Sequence, residues 1–222
     1  MARMARVVVP DIPHHVTQRG NRRQRVFFCD DDYRVYKELL QAYCARWDVQ
    51  VWAYCLMPNH VHLILVPSDA KSLHRSLAEA HRRYTRYINF RENWRGYLWQ
   101  GRFASFPMDE NYLLTAVRYV ELNPVRAGLC QSVGEWPWSS AQTHLFQTQD
   151  DLMPVQPMRN FVTDWQAYLN QRADPYDIDS LRRHSRTGRP LGAPEFIDKL
   201  ECETGRKLRK RKPGRSPITR EH

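Results

Sequence analysis

Cysteine pairs are missing from this chain. Its five cysteines, at positions 29, 44, 55, 130 and 202, are odd in number, and none stand at CxxC spacing. That argues against a disulfide framework or a cysteine zinc site and for reduced thiols. Long apolar runs are also missing. No stretch approaches the roughly 18 residues of a membrane span, and the apolar part of MARMARVVVPDIPHH is too short for a secretory signal. The expectation is a soluble, cytoplasmic protein without membrane contact. No P-loop GxxxxGK[ST] occurs, so no nucleotide cofactor is expected. The aromatic RNP pattern of RNA-binding sheets is absent as well. Lysine is scarce, supplying only six of the 34 basic residues.

What is present is arginine and a real core. The 222 residues suffice for one domain plus an appendage, and 42% are hydrophobic. The formal net charge is +10 and the pI about 9.6, a balance that favours a polyanionic partner such as nucleic acid. Arginine suits bidentate phosphate contacts and stacking on bases.

The patterning predicts a strand over 14–18, ending at the Gly20-Asn21 turn signal and followed by the basic loop QRGNRRQR. DDDY at 30–33 opens a helix, its acids set against the helix dipole, with Tyr36, Leu39, Leu40, Tyr43 and Trp47 at helical spacing. Residues 49–55 and 60–66 read as strands joined by Met57-Pro58-Asn59, the second of them central. A long helix fits 73–90. The aromatic, glycine-punctuated stretch 94–106 reads as a returning strand. Asp109 caps a helix over 110–122, which Asn123-Pro124 should stop. The order β-α-β-β-α-β is the split βαβ of ferredoxin-like α+β folds. Past about residue 148 the character changes. DDLMPVQP reads as a linker, and two short helices, near 162–171 and 194–203, flank a basic loop RRHSRTGRP. The final GRKLRKRKPGRSPITREH is too polar to pack and is expected to be disordered.

His60 and His62 lie two apart on a strand, so both project from one face. Their Cα atoms are then roughly 6.5–7 Å apart, close enough for two imidazoles to converge on one ion. Two hydrogen-bonded histidines near a strand end would show the same spacing. Tyr119 and Asn123 stand four apart on the 110–122 helix and share a face, while Leu113, Val117 and Val120 form the core face. A helix-end asparagine can also be a simple C-cap. Among rival tyrosines, Tyr84 and Tyr87 sit among arginines, and Tyr112 has no metal-capable residue one turn later. Arg19, Asn21, Arg22, Arg23 and Arg25 form a loop able to clamp a DNA backbone, or simply a solvated turn. Arg102 and Arg126 flank the proposed site and could hold phosphates or pair with a carboxylate such as Glu121. Lys207, Arg209, Lys210, Arg211 and Lys212 offer phosphate attraction without fixed geometry, or keep the tail soluble. Trp94, Trp99, Trp136 and Trp138 read as core.

Taken in order, HHVTQRGNRRQRVFF, YCLMPNHVHLILVP, GYLWQGRF and RYVELNPVRAGL resemble the REP-associated tyrosine transposases, members of the single-tyrosine HUH superfamily. The resemblance covers about residues 7–145, with a weaker echo in RTGRPLG. It implies a catalytic domain over 1–148 and a basic, partly disordered extension over 149–222. It implies His60 and His62 as the metal pair and Tyr119 as the nucleophile. Asn123 takes the polar position one turn later, where related insertion-sequence enzymes commonly have Gln. The implied metal is magnesium or manganese, although zinc suits imidazole better. The implied substrate is single-stranded DNA from repetitive extragenic palindromes folded as hairpins, cut through a 5′-phosphotyrosine. Such a protein would be nucleoid-associated when DNA-bound. A domesticated DNA-binding regulator, or an HUH replication initiator or relaxase, remains a rival reading. The residues name no general base, no DNA sequence and no choice between monomer and dimer.

Overall fold

The computed structural model describes residues 4–154, 157–171 and 174–209. Strand β1 (His14–Arg19) leads to helix α1 (Asp30–Arg46). Strands β2 (Val49–Met57) and β3 (His60–Pro67) follow as a hairpin, then helix α2 (Ser72–Arg91) and strand β4 (Ala104–Pro107). The sheet runs β2-β3-β1-β4 with every neighbouring pair antiparallel. This is the expected ferredoxin-like arrangement, and β3 is an inner strand. Helix α3 (Glu110–Glu121) and the short α4 (Asn123–Arg126) come next. Then follow α5 (Ala141–Phe146), α6 (Trp165–Asn170), α7 (Pro175–Thr187) and α8 (Pro194–Thr204).

Strand alternation divides the core into two layers. Val61, Leu63 and Leu65 of β3 pack with Tyr36 and Leu40 of α1 and Leu73, Leu77 and Tyr84 of α2. Ile64 of β3 faces the other way, with Leu113, Val117 and Val120 of α3. Helix α1 starts where Asp32 accepts from the backbone amides of Phe28 (2.7 Å) and Cys29 (3.2 Å), satisfying amides that the helix itself leaves unpaired. Arg91 at the end of α2 pairs with the same carboxylate, tying the two helices together.

Several expectations change. The 94–106 stretch is a strand only over Ala104–Pro107. Before that the chain bends through Gly96 (φ +100°) and Gly101 (φ +59°), which break a regular ladder. Trp94 is 44% exposed rather than core, whereas Trp99 is buried. Pro124 does not stop helical structure: α3 breaks at Leu122, and the chain turns again at once, because a proline in the first turn gives up no needed amide. The basic loop RRHSRTGRP is largely the second half of α7, which ends at Gly188 in the left-handed conformation. The presumed linker is pinned. Leu152 and Met153 are buried, and the Tyr54 hydroxyl donates to Asp150 at 2.6 Å. Beyond Gly205, Leu208 is buried beside Val7 and Val9, and Arg209 pairs with Asp198 at 2.6 Å.

The C-terminal helices are stitched to α3 by one buried carboxylate. Glu121 accepts from Ser140 Oγ (2.6 Å) and Trp165 Nε1 (2.8 Å), and lies 2.6 Å from His144 Nδ1. Glu121→Ala leaves His144 Nδ1 and Trp165 Nε1 without a partner, while Ser140 Oγ keeps its bonds to the Tyr54 backbone, so unfolding should become easier by about 3 kcal/mol. Chemical denaturation should show this loss, whereas Glu110→Ala, on the exposed start of α3, should be near neutral.

Burial also predicts acid sensitivity. Desolvation lowers His14 to about 4 and His81 to about 3, backbone hydrogen bonds at His14 offsetting it only in part. Both stay neutral in the fold while their unfolded counterparts take up protons below about 6.5. The unfolded state then binds more protons, so stability falls as pH drops from about 6.5 toward 4. Melting temperatures across that range should decline. Replacing His81 by Gln should flatten the decline.

Candidate active site

The face of the sheet covered by α3 gathers the histidines. On β3, His60 lies opposite Arg19 and His62 opposite Thr17, and paired residues share a face. His15 of β1 joins them, its Nε2 3.0 Å from His62 Nδ1. The His60 and His62 rings meet edge-on with centroids 5.0 Å apart. Helix α3 lays Tyr119 over this group. The Tyr119 ring centroid is 5.6 Å from that of His62 and 6.1 Å from that of His15, both edge-to-face. The Arg126 guanidinium sits over the Tyr119 ring, 4.9 Å from its centroid. One turn beyond, Asn123 Nδ2 donates to the Tyr119 carbonyl at 2.8 Å.

The other tyrosines are elsewhere. The Tyr84 hydroxyl is buried and donates to the Val26 carbonyl at 2.6 Å. Tyr87 packs against the α1–α2 layer on the opposite face of the sheet. Tyr112 is raised by burial first, then by Asp177 and Tyr176 of α7, which marks it as facing that helix.

Burial keeps all three histidines neutral. It brings His15 down to about 3. It lowers His60 to about 4, helped by Arg19. It pushes His62 well below the usual imidazole range, with further lowering by His15, His60, Arg19 and Arg126. Neutral imidazoles keep a lone pair for a metal or a proton, and hydrogen bonding decides which nitrogen carries it. Asn59 Nδ2 donates to the Arg23 carbonyl at 3.1 Å, which turns its oxygen toward His60 Nδ1 at 2.6 Å. An amide oxygen only accepts, so His60 Nδ1 holds the proton and Nε2 the lone pair. If His62 Nδ1 likewise donates to His15, its Nε2 lone pair is free. The His15 proton then sits on Nδ1, a buried nitrogen with no partner among the described residues.

These donors fit a divalent ion. The His60 and His62 rings lie 5.0 Å apart, and neutral imidazoles are donors that divalent ions take. The Asn123 amide oxygen accepts no hydrogen bond among the described residues, and Asn123 lies within a turn of Tyr119. No group of three or more His, Cys, Asp or Glu that could hold a metal occurs among the described residues, and an amide oxygen such as that of Asn123 is a donor type outside that set.

The basic loop adjoins this site. Gly20 N donates to the Asn59 carbonyl at 2.8 Å, next to His60. A Cβ on Gly20 would meet the Gln24 carbonyl at 2.3 Å, so only glycine fits. Arg22 and Arg23 adopt left-handed backbone (φ +52° and +62°). Arg19, Arg22, Arg23 and Arg25 are exposed and Asn21 is half-buried. Arg102 is exposed on the 94–103 segment. Glu121 takes neither Arg102 nor Arg126 as its partner; its contacts are those with Ser140, His144 and Trp165. Arg209 is held against α8 through Asp198, with Lys207 exposed beside it. Lys210, Arg211 and Lys212 lie outside the described residues. Sequence reasoning missed His15 and the side chain of Asn59. No sequence signal distinguished His15, whose place depends on the β1–β3 register, whereas adjacency to His60 was available for Asn59.

Comparison with known proteins bears on the family and the fold. The family model described as "Transposase IS200 like" matches residues 8–123, a span that contains His60, His62, Tyr119 and Asn123. A Haemophilus influenzae protein assigned as a REP-associated tyrosine transposase is 25% identical over 124 residues, covering 51% of this chain and 70% of that one. The solved structure of a REP-associated tyrosine transposase bound to a REP hairpin superposes with a TM-score of 0.55 at 20% identity, covering 63% of this chain and 82% of the other. At that identity the superposition speaks for the fold. With the family model spanning more than half its length, the chain belongs to the IS200-like transposases, and the relatives it resembles are REP-associated tyrosine transposases.

Proposed function

We propose that this chain nicks and rejoins single-stranded DNA beside hairpins, with Tyr119 as nucleophile and His60, His62 and Asn123 as ligands of a magnesium or manganese ion. One observation carries the reading. Helix α3 brings Tyr119 to His62 across 57 residues of sequence, on the face where the histidines converge. In the step proposed, Tyr119 Oη forms a bond to the scissile phosphorus and the bond to the 3′ oxygen breaks. The products are a 5′-phosphotyrosine and a 3′-hydroxyl. The ester conserves the bond energy, so rejoining needs no nucleotide. A bound divalent ion would supply charge to a nonbridging phosphate oxygen.

The chain's own residues do the rest. Asn59 and His15 hold the imidazole tautomers. Arg126, over the Tyr119 ring, supplies positive charge where phosphate would sit. Tyr119 is half-buried, so solvent reaches it: in the proposed step water takes the Tyr119 proton and returns one to the departing 3′ oxygen. The exposed arginines of the 19–25 loop bind the DNA backbone beside His60. Among the described residues no helix is long and apolar enough to cross a membrane.

The Tyr119→Phe variant should bind a hairpin oligonucleotide within a few-fold of wild type and form no covalent adduct on denaturing electrophoresis. Wild type should cut the single-stranded hairpin far faster than the same sequence in perfect duplex. Binding without any wild-type adduct would instead favour a DNA-binding regulator.

Metal dependence has its own test. His60→Ala and His62→Ala should abolish cleavage, and EDTA should silence wild type until manganese or magnesium is restored. Asn123→Ala should be milder, because water can replace an amide oxygen. Asn59→Ala should keep the ligands but weaken manganese binding about 10- to 100-fold in calorimetry. Full activity of either histidine variant in metal-free buffer would overturn the assignment.

A further inference from the structure

A second surface stands out beside the catalytic face. Of the exposed large hydrophobic side chains, Phe28, Phe90, Trp94 and Tyr97 fall in one region, where α2 ends and the chain turns back. Phe90 is 89% and Tyr97 87% exposed. Burying such rings is normally a large gain, and no described element covers either of them.

The region is preorganised. Asn89 Nδ2 donates to the Gly96 carbonyl at 3.0 Å, and the Trp94 amide donates to the Asn89 carbonyl at 2.8 Å, which tethers the turn to α2. Trp94 meets Phe28 edge-on with centroids 5.6 Å apart. Arg91, locked to Asp32, stands 5.8 Å from the Phe28 ring.

Charge identifies the kind of partner. Residues 81–103 and the adjoining loop 19–25 together carry ten arginines against Glu92 alone. Some of these are paired, as Arg82 and Arg83 are with Glu79. Arg86 and Arg95 are exposed in the same stretch. A second copy of this equally basic face would be repelled, and an apolar protein surface would desolvate the guanidinium groups without pairing them. Exposed rings set among guanidinium groups match a flexible polyanion whose unpaired bases can stack.

The turn is also tied to the proposed catalytic site through the backbone of the basic loop. Asn21 N donates to the Leu98 carbonyl, next to Tyr97, and Gly20 N donates to the Asn59 carbonyl, next to His60; both bonds are 2.8 Å. Two adjacent residues of the basic loop therefore bridge the aromatic turn to the proposed metal ligand.

We infer that Phe90, Trp94 and Tyr97, with Arg86 and Arg95, form a stacking platform for the unpaired single-stranded DNA that runs away from the cleavage point. The inference rests on the reading of single-stranded DNA as substrate but not on cleavage itself. Rings without specific polar partners read stacking rather than sequence, so the platform adds affinity for a flank of any composition.

The test uses the full chain and fluorescent hairpin oligonucleotides with either no flank or a single-stranded flank of about 12 nucleotides. Phe90→Ala combined with Tyr97→Ala should weaken binding of the flanked hairpin roughly tenfold or more, and leave the blunt hairpin within twofold. The slope of log affinity against log salt should not move, because no charge is lost. Arg86→Ala with Arg95→Ala should instead flatten that slope by about 0.7 for each phosphate contact removed. Both rings are solvent-exposed, so folding should be unaffected. If wild type forms no adduct but the flank-dependent loss appears, the cleavage reading fails and the platform stands. Equal loss on blunt and flanked hairpins, no loss on either, or conversion of a dimer to a monomer in sedimentation would each overturn the platform.

Discussion

Helix α3 is held from two sides, and the position of Tyr119 depends on that hold. Leu113, Val117 and Val120 press it onto the sheet. At its last residue, Glu121 accepts from side chains of two different C-terminal elements and the turn before one of them. A buried carboxylate with three donors tolerates little displacement, since moving it would leave polar groups unpaired in a low-dielectric interior. The C-terminal helices pack on the same face of the sheet, with Leu181 of α7 in the α3 layer and His184 against Phe106, which itself meets His15. They fix the end of the helix that carries Tyr119, Arg126 follows immediately on α4, and the histidines stay under the tyrosine ring.

The second constraint is protonation. Three histidines within a few ångströms would repel one another if charged, and burial removes that charge. Neutrality alone does not make a ligand, because the lone pair must point into the site. Asn59 settles this for His60 by linking it to the backbone of the basic loop. The same side chain thus couples the surface proposed to bind DNA to the geometry of the site, and a loop displaced by a phosphate would be felt at His60. Where His62 Nδ1 is the donor, His15 plays the corresponding part for His62, and His15 Nδ1 has no partner among the described residues.

Much of this was legible in the sequence because it follows from periodicity. Alternation along HVHLILV separates His60, His62 and Ile64 from Val61, Leu63 and Leu65, and the structure keeps that division. The four-residue spacing of Tyr119 and Asn123, against the apolar stripe of Leu113, Val117 and Val120, likewise places them. What was not legible depends on contacts distant in sequence. The aromatic stretch before Ala104 looks β-rich, yet its glycines adopt positive φ and Trp94 turns outward. Leu152 and Met153 sit in a stretch rich in acid and proline and are buried only because the sheet edge supplies a partner. His15 resembles any strand histidine until the register pairs β1 with β3. The basic segment around Arg183 joins a helix because Leu181 finds the α3 layer.

The most direct test of the central claim is the site and polarity of the covalent bond. Wild-type protein incubated with a hairpin oligonucleotide and manganese can be digested with protease and nuclease and mapped by mass spectrometry. The account predicts a nucleotide joined through its 5′ phosphate to the peptide containing Tyr119, and to no other tyrosine. A nucleotide on Tyr112 or Tyr87, or one joined through its 3′ phosphate, would contradict it.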